Sequence, residues 1–116
     1  MAFTEEEIAS HLKTLEDRFW SKRRPPQHLR DQMREGQRVK GQSIELFFHR
    51  PRYDDPNHWT EEPIAKITYV RKNDRWRLFW MRADLKWHRY PPQAEAKSLA
   101  EALSIIDQDA KACFFG

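Results

Sequence analysis

A chain of 116 residues, 39% apolar and 13% aromatic, has room for one ordinary core and no more. Its one cysteine, Cys113, excludes an internal disulfide, and the lack of any apolar run near ~20 residues excludes a membrane-spanning helix. The net charge of +3 conceals two basic blocks: ten Lys or Arg against three carboxylates over residues 18–52, and seven against two over residues 71–89.

The opening residues MAFTEEEIAS are acidic and read as a helix start rather than a signal peptide, which fits a cytoplasmic protein. Thr4 stands as N-cap with Glu7 three residues on, a capping box that satisfies two otherwise unpaired N–H groups. Phe3 is placed to staple onto Ile8. Ile8, Leu12, Leu15 and Phe19 then recur at helical spacing as a buried stripe. Glu5, Glu6 and Glu7 suit the positive end of the helix dipole and Arg18 and Lys22 the negative end. Pro25 and Pro26 end the helix.

Two hairpins follow. The first pairs a strand near Gln32–Val39 with one near Gln42–His49 across a turn at Lys40-Gly41. Ile44, Leu46 and Phe48 alternate clearly in the second strand, but Glu35 and Gln37 fall where their apolar partners should sit, so a bulge is expected to correct the register. Pro51 ends that strand, and residues 52–62 read as a polar loop. The second hairpin joins Pro63–Lys72 to Arg75–Arg82 through a tight turn at Asn73-Asp74. Its alternation defines two faces. Ile67, Tyr69, Trp76, Leu78 and Trp80 form a core face; Lys66, Thr68, Val70, Arg77, Phe79 and Met81 form one that is neither apolar nor properly polar. Residues 83–90 read as a further strand or an extended arm. Ser98 with Glu101 repeats the capping-box signature ahead of Leu99, Leu103 and Ile106. The closing Cys113-Phe114-Phe115-Gly116 is expected to dock on the core or on a partner.

The fold class that follows is α+β: an antiparallel sheet of four strands, or five if 83–90 pairs, between an N-terminal and a C-terminal helix, in the order α-β-β-β-β-α. One domain spanning residues 1–116 is expected.

The mixed face of the second hairpin carries the main functional expectation. Lys and Arg neutralise phosphates, and uncovered rings stack bases for about 1–3 kcal/mol each, so interleaving them on a sheet suits RNA or another single strand. Residues expected to contact it are Lys22, Arg23, Arg24, Arg50, Arg52, Lys66, Arg77, Phe79, Arg82, Lys86, Trp87, His88 and Arg89. The bland alternative covers Phe79 and Met81 with a helix and lets Arg stems run around its rim. A different class of function, protein interaction or homodimerisation, would use Phe79, Met81 and Trp87 or the Phe114-Phe115 tail. A third, ribonuclease-like and metal-free, would use His49 or His88 beside neighbouring arginines. No cofactor is expected: the five histidines are scattered, Cys113 has no cysteine neighbour, Asp54-Asp55 lacks a calcium ligand ladder, and Gly36 and Gly41 belong to strand and turn.

Five blocks also resemble a known family: Lys22–Pro26 (KRRPP), Gly41–Phe47 (GQSIELF), Glu62–Lys66 (EPIAK), Met81–Tyr90 (MRADLKWHRY) and Cys113–Gly116 (CFFG). They are similar to short bacterial proteins grouped as a domain of unknown function, number three thousand and twenty-four. The resemblance implies a bacterial, stand-alone protein and brings no activity, ligand or site residue. Glu35 and Gln37, polar where apolar residues are expected, depart from the pattern.

Overall fold

The computed structural model of the chain describes residues 2–91, 93–109 and Phe114. Thr4 opens helix α1 (Glu5–Leu15) with the complete capping box: its Oγ1 accepts the Glu7 N–H at 3.1 Å, and the Glu7 carboxylate accepts the Thr4 N–H at 2.9 Å. After Leu15 the helix widens into a π turn, Glu16–Trp20, and finishes as α2 (Ser21–Arg23). A π turn holds one residue more than an α turn and shifts the phase of the apolar stripe. Leu15, Phe19 and Trp20 are therefore all buried, whereas Leu12, expected inside, is 38% exposed. Arg24 is already extended ahead of the two prolines, as their position demands.

Among the described residues six strands make one antiparallel sheet: β1 (Arg34–Lys40), β2 (Ser43–Pro51), β3 (Trp59–Val70), β4 (Arg75–Met81), β5 (Trp87–Arg89) and β6 (Glu95–Ala96). Their order is β1-β2-β3-β4-β5, with β6 following β5 along the same edge of β4. Helix α3 (Leu99–Gln108) comes last. The expected order of elements holds, the 83–90 segment supplies β5, and β6 is an addition.

Local details differ from the sequence reading for identifiable reasons. The first turn lies at Gly41-Gln42, between the paired Lys40 and Ser43, because Gly41 adopts φ +62°, the left-handed region that favours glycine. The second turn is a four-residue loop, Arg71–Asp74, closing the Val70–Arg75 pair; Asp74, held by the Tyr69 hydroxyl at 2.7 Å, takes the positive φ. Residues 59–62, read as loop, extend β3 against the far end of β2. The register shift sits between β2 and β3, at Leu46/Phe47 opposite Ile64, and not within the first hairpin. Pro63 lies beside it, where a missing N–H costs a central strand least.

The polar residues of β1 have a structural explanation. Glu35 and Gln37 do lie on the core-facing side, opposite Phe48 and Leu46. Glu35 binds Arg24 and Arg30, and Gln37 accepts the Trp20 indole N–H at 3.0 Å. They are the sheet's handles for the helix end. Ser98 caps α3 by accepting the Glu101 N–H at 3.1 Å, but Glu101 returns to the Lys97 N–H instead of closing the box.

Both long helices pack on one face of the sheet. Ile44, Leu46, Ile67, Trp76 and Leu78 from the strands meet Leu15, Phe19, Leu103 and Ile106 from the helices, all of them buried. Phe3 lies on Trp76 with ring centroids 5.8 Å apart, and Phe114 packs on Tyr90 at 4.6 Å. Cys113, Phe115 and Gly116 lie outside the described residues.

Candidate functional site

Strand pairing assigns every strand residue to a face. Residues opposite the helices line up in cross-strand rows: Arg38–Glu45–Lys66–Phe79–Arg89 is one, and Lys40–Ser43–Thr68–Arg77–Glu95 is the next. On the other side of the first row, across the bulge, come Gly36, Phe47, Pro63, Met81 and Trp87. Among the described residues no helix packs on this face. Lys66, Arg77, Phe79, Met81 and Trp87 are half-buried, screened by one another and not by a covering element. The predicted division of the second hairpin into a core face and a mixed face therefore holds, and the mixed face is the uncovered one.

Its charge is lopsided. Arg34, Arg38, Lys40, Lys66, Arg75, Arg77 and Arg89 stand on it against Glu45, Glu61 and Glu95. The carboxylates are not evenly placed. Arg38 binds both Glu61 and Glu45, and its hydrogen bond holds the Glu61 carboxyl below the usual range. Arg89 reaches Glu95 at 3.4 Å. No carboxylate among the described residues lies within ion-pair distance of Lys66 or Arg77. The Lys66 ammonium instead sits 5.7 Å over the Phe79 ring, while Arg77 Nε is shielded from solvent and meets no acceptor among the described residues.

The structure brings together only some of the expected contact residues. Lys66, Arg77, Phe79, Trp87 and Arg89 share this face. Lys22, Arg23 and Arg24 end the first helix on the opposite side, where Arg23 binds Asp107 of α3 at 2.7 Å and Arg24 binds Glu16 and Glu35. Arg50 points to the helix side of β2 and pairs with Glu62 at 2.6 Å. Arg52 closes on Asp54 in the following loop. Arg82 lies over the Trp80 ring at 5.7 Å, and Lys86 is exposed in the β4–β5 turn. These seven do not converge with the open face. Sequence reasoning in turn passed over Arg34, which stacks on Trp59 at 4.7 Å, and Arg38, which stacks on Phe47 at 5.0 Å. The alternation of Arg34 and Arg38 along β1 was the available signal, hidden by the polar residues between them.

Alternation also separates each histidine from its neighbouring arginines. His49 lies on the open face, 3.6 Å from Glu61, and Arg50 on the other. His88 faces the helix side beside Trp80, bound to Asp84 at 2.8 Å, whereas Arg89 faces out. That bond lowers the Asp84 pKa. Other arginines take their place: Arg34 pairs with His49 across β1 and β2, and His88 pairs with Trp80, the ring beneath Arg82. Among the described residues no three metal-ligating side chains converge, and no helix is long and apolar enough to cross a membrane.

On the helix side, a groove of about 410 Å³ runs between α1 and the start of α3, lined by His11, Tyr69, Asp74, Trp76 and Ser98 among others. His11 is wedged edge-on against Phe3 and Trp76, and its Nε2 meets no partner among the described residues. Burial lowers its pKa.

Compared with known proteins, residues 3–116 match the model of a family described as Domain of unknown function (DUF3024). No curated protein and no solved structure matches the chain.

Proposed function

Since the chain belongs to the family described as Domain of unknown function (DUF3024), we propose a function from its side chains alone: a non-enzymatic module that binds RNA or another single-stranded nucleic acid on the open sheet face. One observation carries the reading. Among the described residues seven cations stand against three carboxylates on a face that no helix covers, with Phe79 and Trp87 among them. A polyanion with stackable bases complements both properties at once, because phosphates take the charge and bases take the rings. Among the described residues Lys66 and Arg77, beside Phe79, have no carboxylate to release, whereas Arg38 and Arg89 do. The ion pairs at Arg23, Arg24, Arg50 and Arg52 support a structural role for those four residues instead.

Fluorescence anisotropy with labelled single- and double-stranded oligonucleotides at low and moderate salt tests this. Expected is micromolar binding that weakens steeply as salt rises, as counterion release requires, with single strands preferred. Arg77→Ala and Lys66→Ala should each weaken binding and flatten the salt slope. Absence of binding at low salt, or binding indifferent to both substitutions, would overturn the proposal.

A further inference from the structure

We infer that the bound strand crosses β3, β4 and β5 as a two-ring step, one base stacked on Phe79 and its neighbour on Trp87, with the phosphates held by Lys66 and Arg77. The inference rests on the reading above and adds the ligand's path and its lack of sequence preference. Two courses over the face are open. One follows the β2–β3 arm from Lys66 towards His49 and Trp59; the other crosses the strands from Lys66 to β5.

Charge separates them. The arm carries Glu45 and Glu61, with Arg38 committed to both and Arg34 stacked on Trp59. Its rings are occupied as well, Phe47 being 7% exposed beneath Arg38. The crossing carries Lys66 and Arg77, neither within ion-pair distance of a carboxylate among the described residues, and Glu95 beside it is met by Arg89.

Spacing agrees. Phe79 pairs with Arg89 and Met81 with Trp87, so Phe79 and Trp87 are diagonal neighbours on adjacent strands, about 7–8 Å apart at their backbones. That is too far for two bases stacked on each other and suits two adjacent bases splayed onto separate rings, the way sheet-based RNA binders hold two or three bases. Met81, between the rings, gives the step an apolar floor. Arg77, two residues from Phe79 on the same strand face and on the side away from Trp87, takes the phosphate that leads out of the step past Phe79. The Lys66 ammonium, now over the Phe79 ring, swings off on its flexible stem as a base arrives and meets a phosphate. Ser43 and Thr68, the nearby hydroxyls, bond each other at 2.8 Å. With these hydroxyls engaged by each other and Lys66 and Arg77 given to phosphates, the step takes any base.

The test titrates labelled single-stranded homopolymers of graded length against the whole protein and four variants. Phe79→Leu and Trp87→Ala should each weaken binding by roughly 5- to 150-fold, the worth of one stacked base. Trp87→Phe should retain most of the affinity, and Trp59→Ala all of it. Homopolymers of different bases should bind within about tenfold of one another. If Trp59→Ala weakens binding and Trp87→Ala does not, the strand follows the arm and this inference fails while nucleic-acid binding stands. Strong preference for one base overturns the inference in the same way. If no oligonucleotide binds, and light scattering shows a dimer that Trp87→Ala dissociates, both the path and the proposed function fall.

Discussion

Gly36 illustrates how a single position can be read two ways. In the sequence it is a strand glycine among charged residues, with no evident purpose. In the structure a Cβ there would lie 2.3 Å from Phe47 Cε2, so the missing side chain is what lets the Phe47 ring lie flat across β1. Gly36→Ala should accordingly destabilise the protein by about 1–3 kcal/mol, an overpacking cost, measured by urea unfolding. Combining it with Phe47→Leu should recover part of that loss, since the smaller side chain vacates the contact. The same scale explains Glu35 and Gln37. Alternation placed both on the core side, but not the reason they are tolerated there, because their partners Arg24, Arg30 and Trp20 come from segments that it does not connect to β1.

Elements are tied by charged residues at their ends. The start of α1 was fully legible in its capping box, and Thr4→Ala should cost about 0.5–2 kcal/mol. What could not be read is that Glu7 has a second task. Arg71, in the β3–β4 loop, grips its carboxylate at 2.8 Å and also reaches the Ala2 carbonyl. Hydrogen bonding from Arg71, then from the Thr4 backbone, lowers the Glu7 pKa from 4.5 to about 2. A carboxyl depressed in the folded state contributes stability above its unfolded pKa and loses it as pH falls. The contribution should therefore be complete above pH 4.5 and fade towards pH 2. Following the thermal midpoint over that window, Glu7→Gln should show a shallower acid decline than the parent chain, and Arg71→Ala should show the same flattening. The π turn belongs to this scale too. Both Phe19 and Trp20 are apolar, and a plain 3.6-residue period had room for only one of them inside.

Across the whole molecule the sheet divides two tasks between its faces. Leu78 and Arg77 are adjacent in β4, yet Leu78 is fully buried under the helices and Arg77 looks away from them. Leu78→Ala should cost about 2–5 kcal/mol in chemical unfolding, while Arg77→Ala should stay within about 0.5 kcal/mol. Similar losses at both positions would mean that the open face is packed. The period-two alternation that made these faces legible is a property of the strand itself, as the caps are of the helix ends, so sequence alone determined the α+β order, the helix starts and the side each residue of β4 takes. Tertiary structure alone decided which arginines are available to a partner. Arg23 and Asp107, 84 positions apart, are joined only because α2 and α3 land on the same face of the sheet. An ion pair depends on where folding brings two charges, and no local pattern encodes that distance.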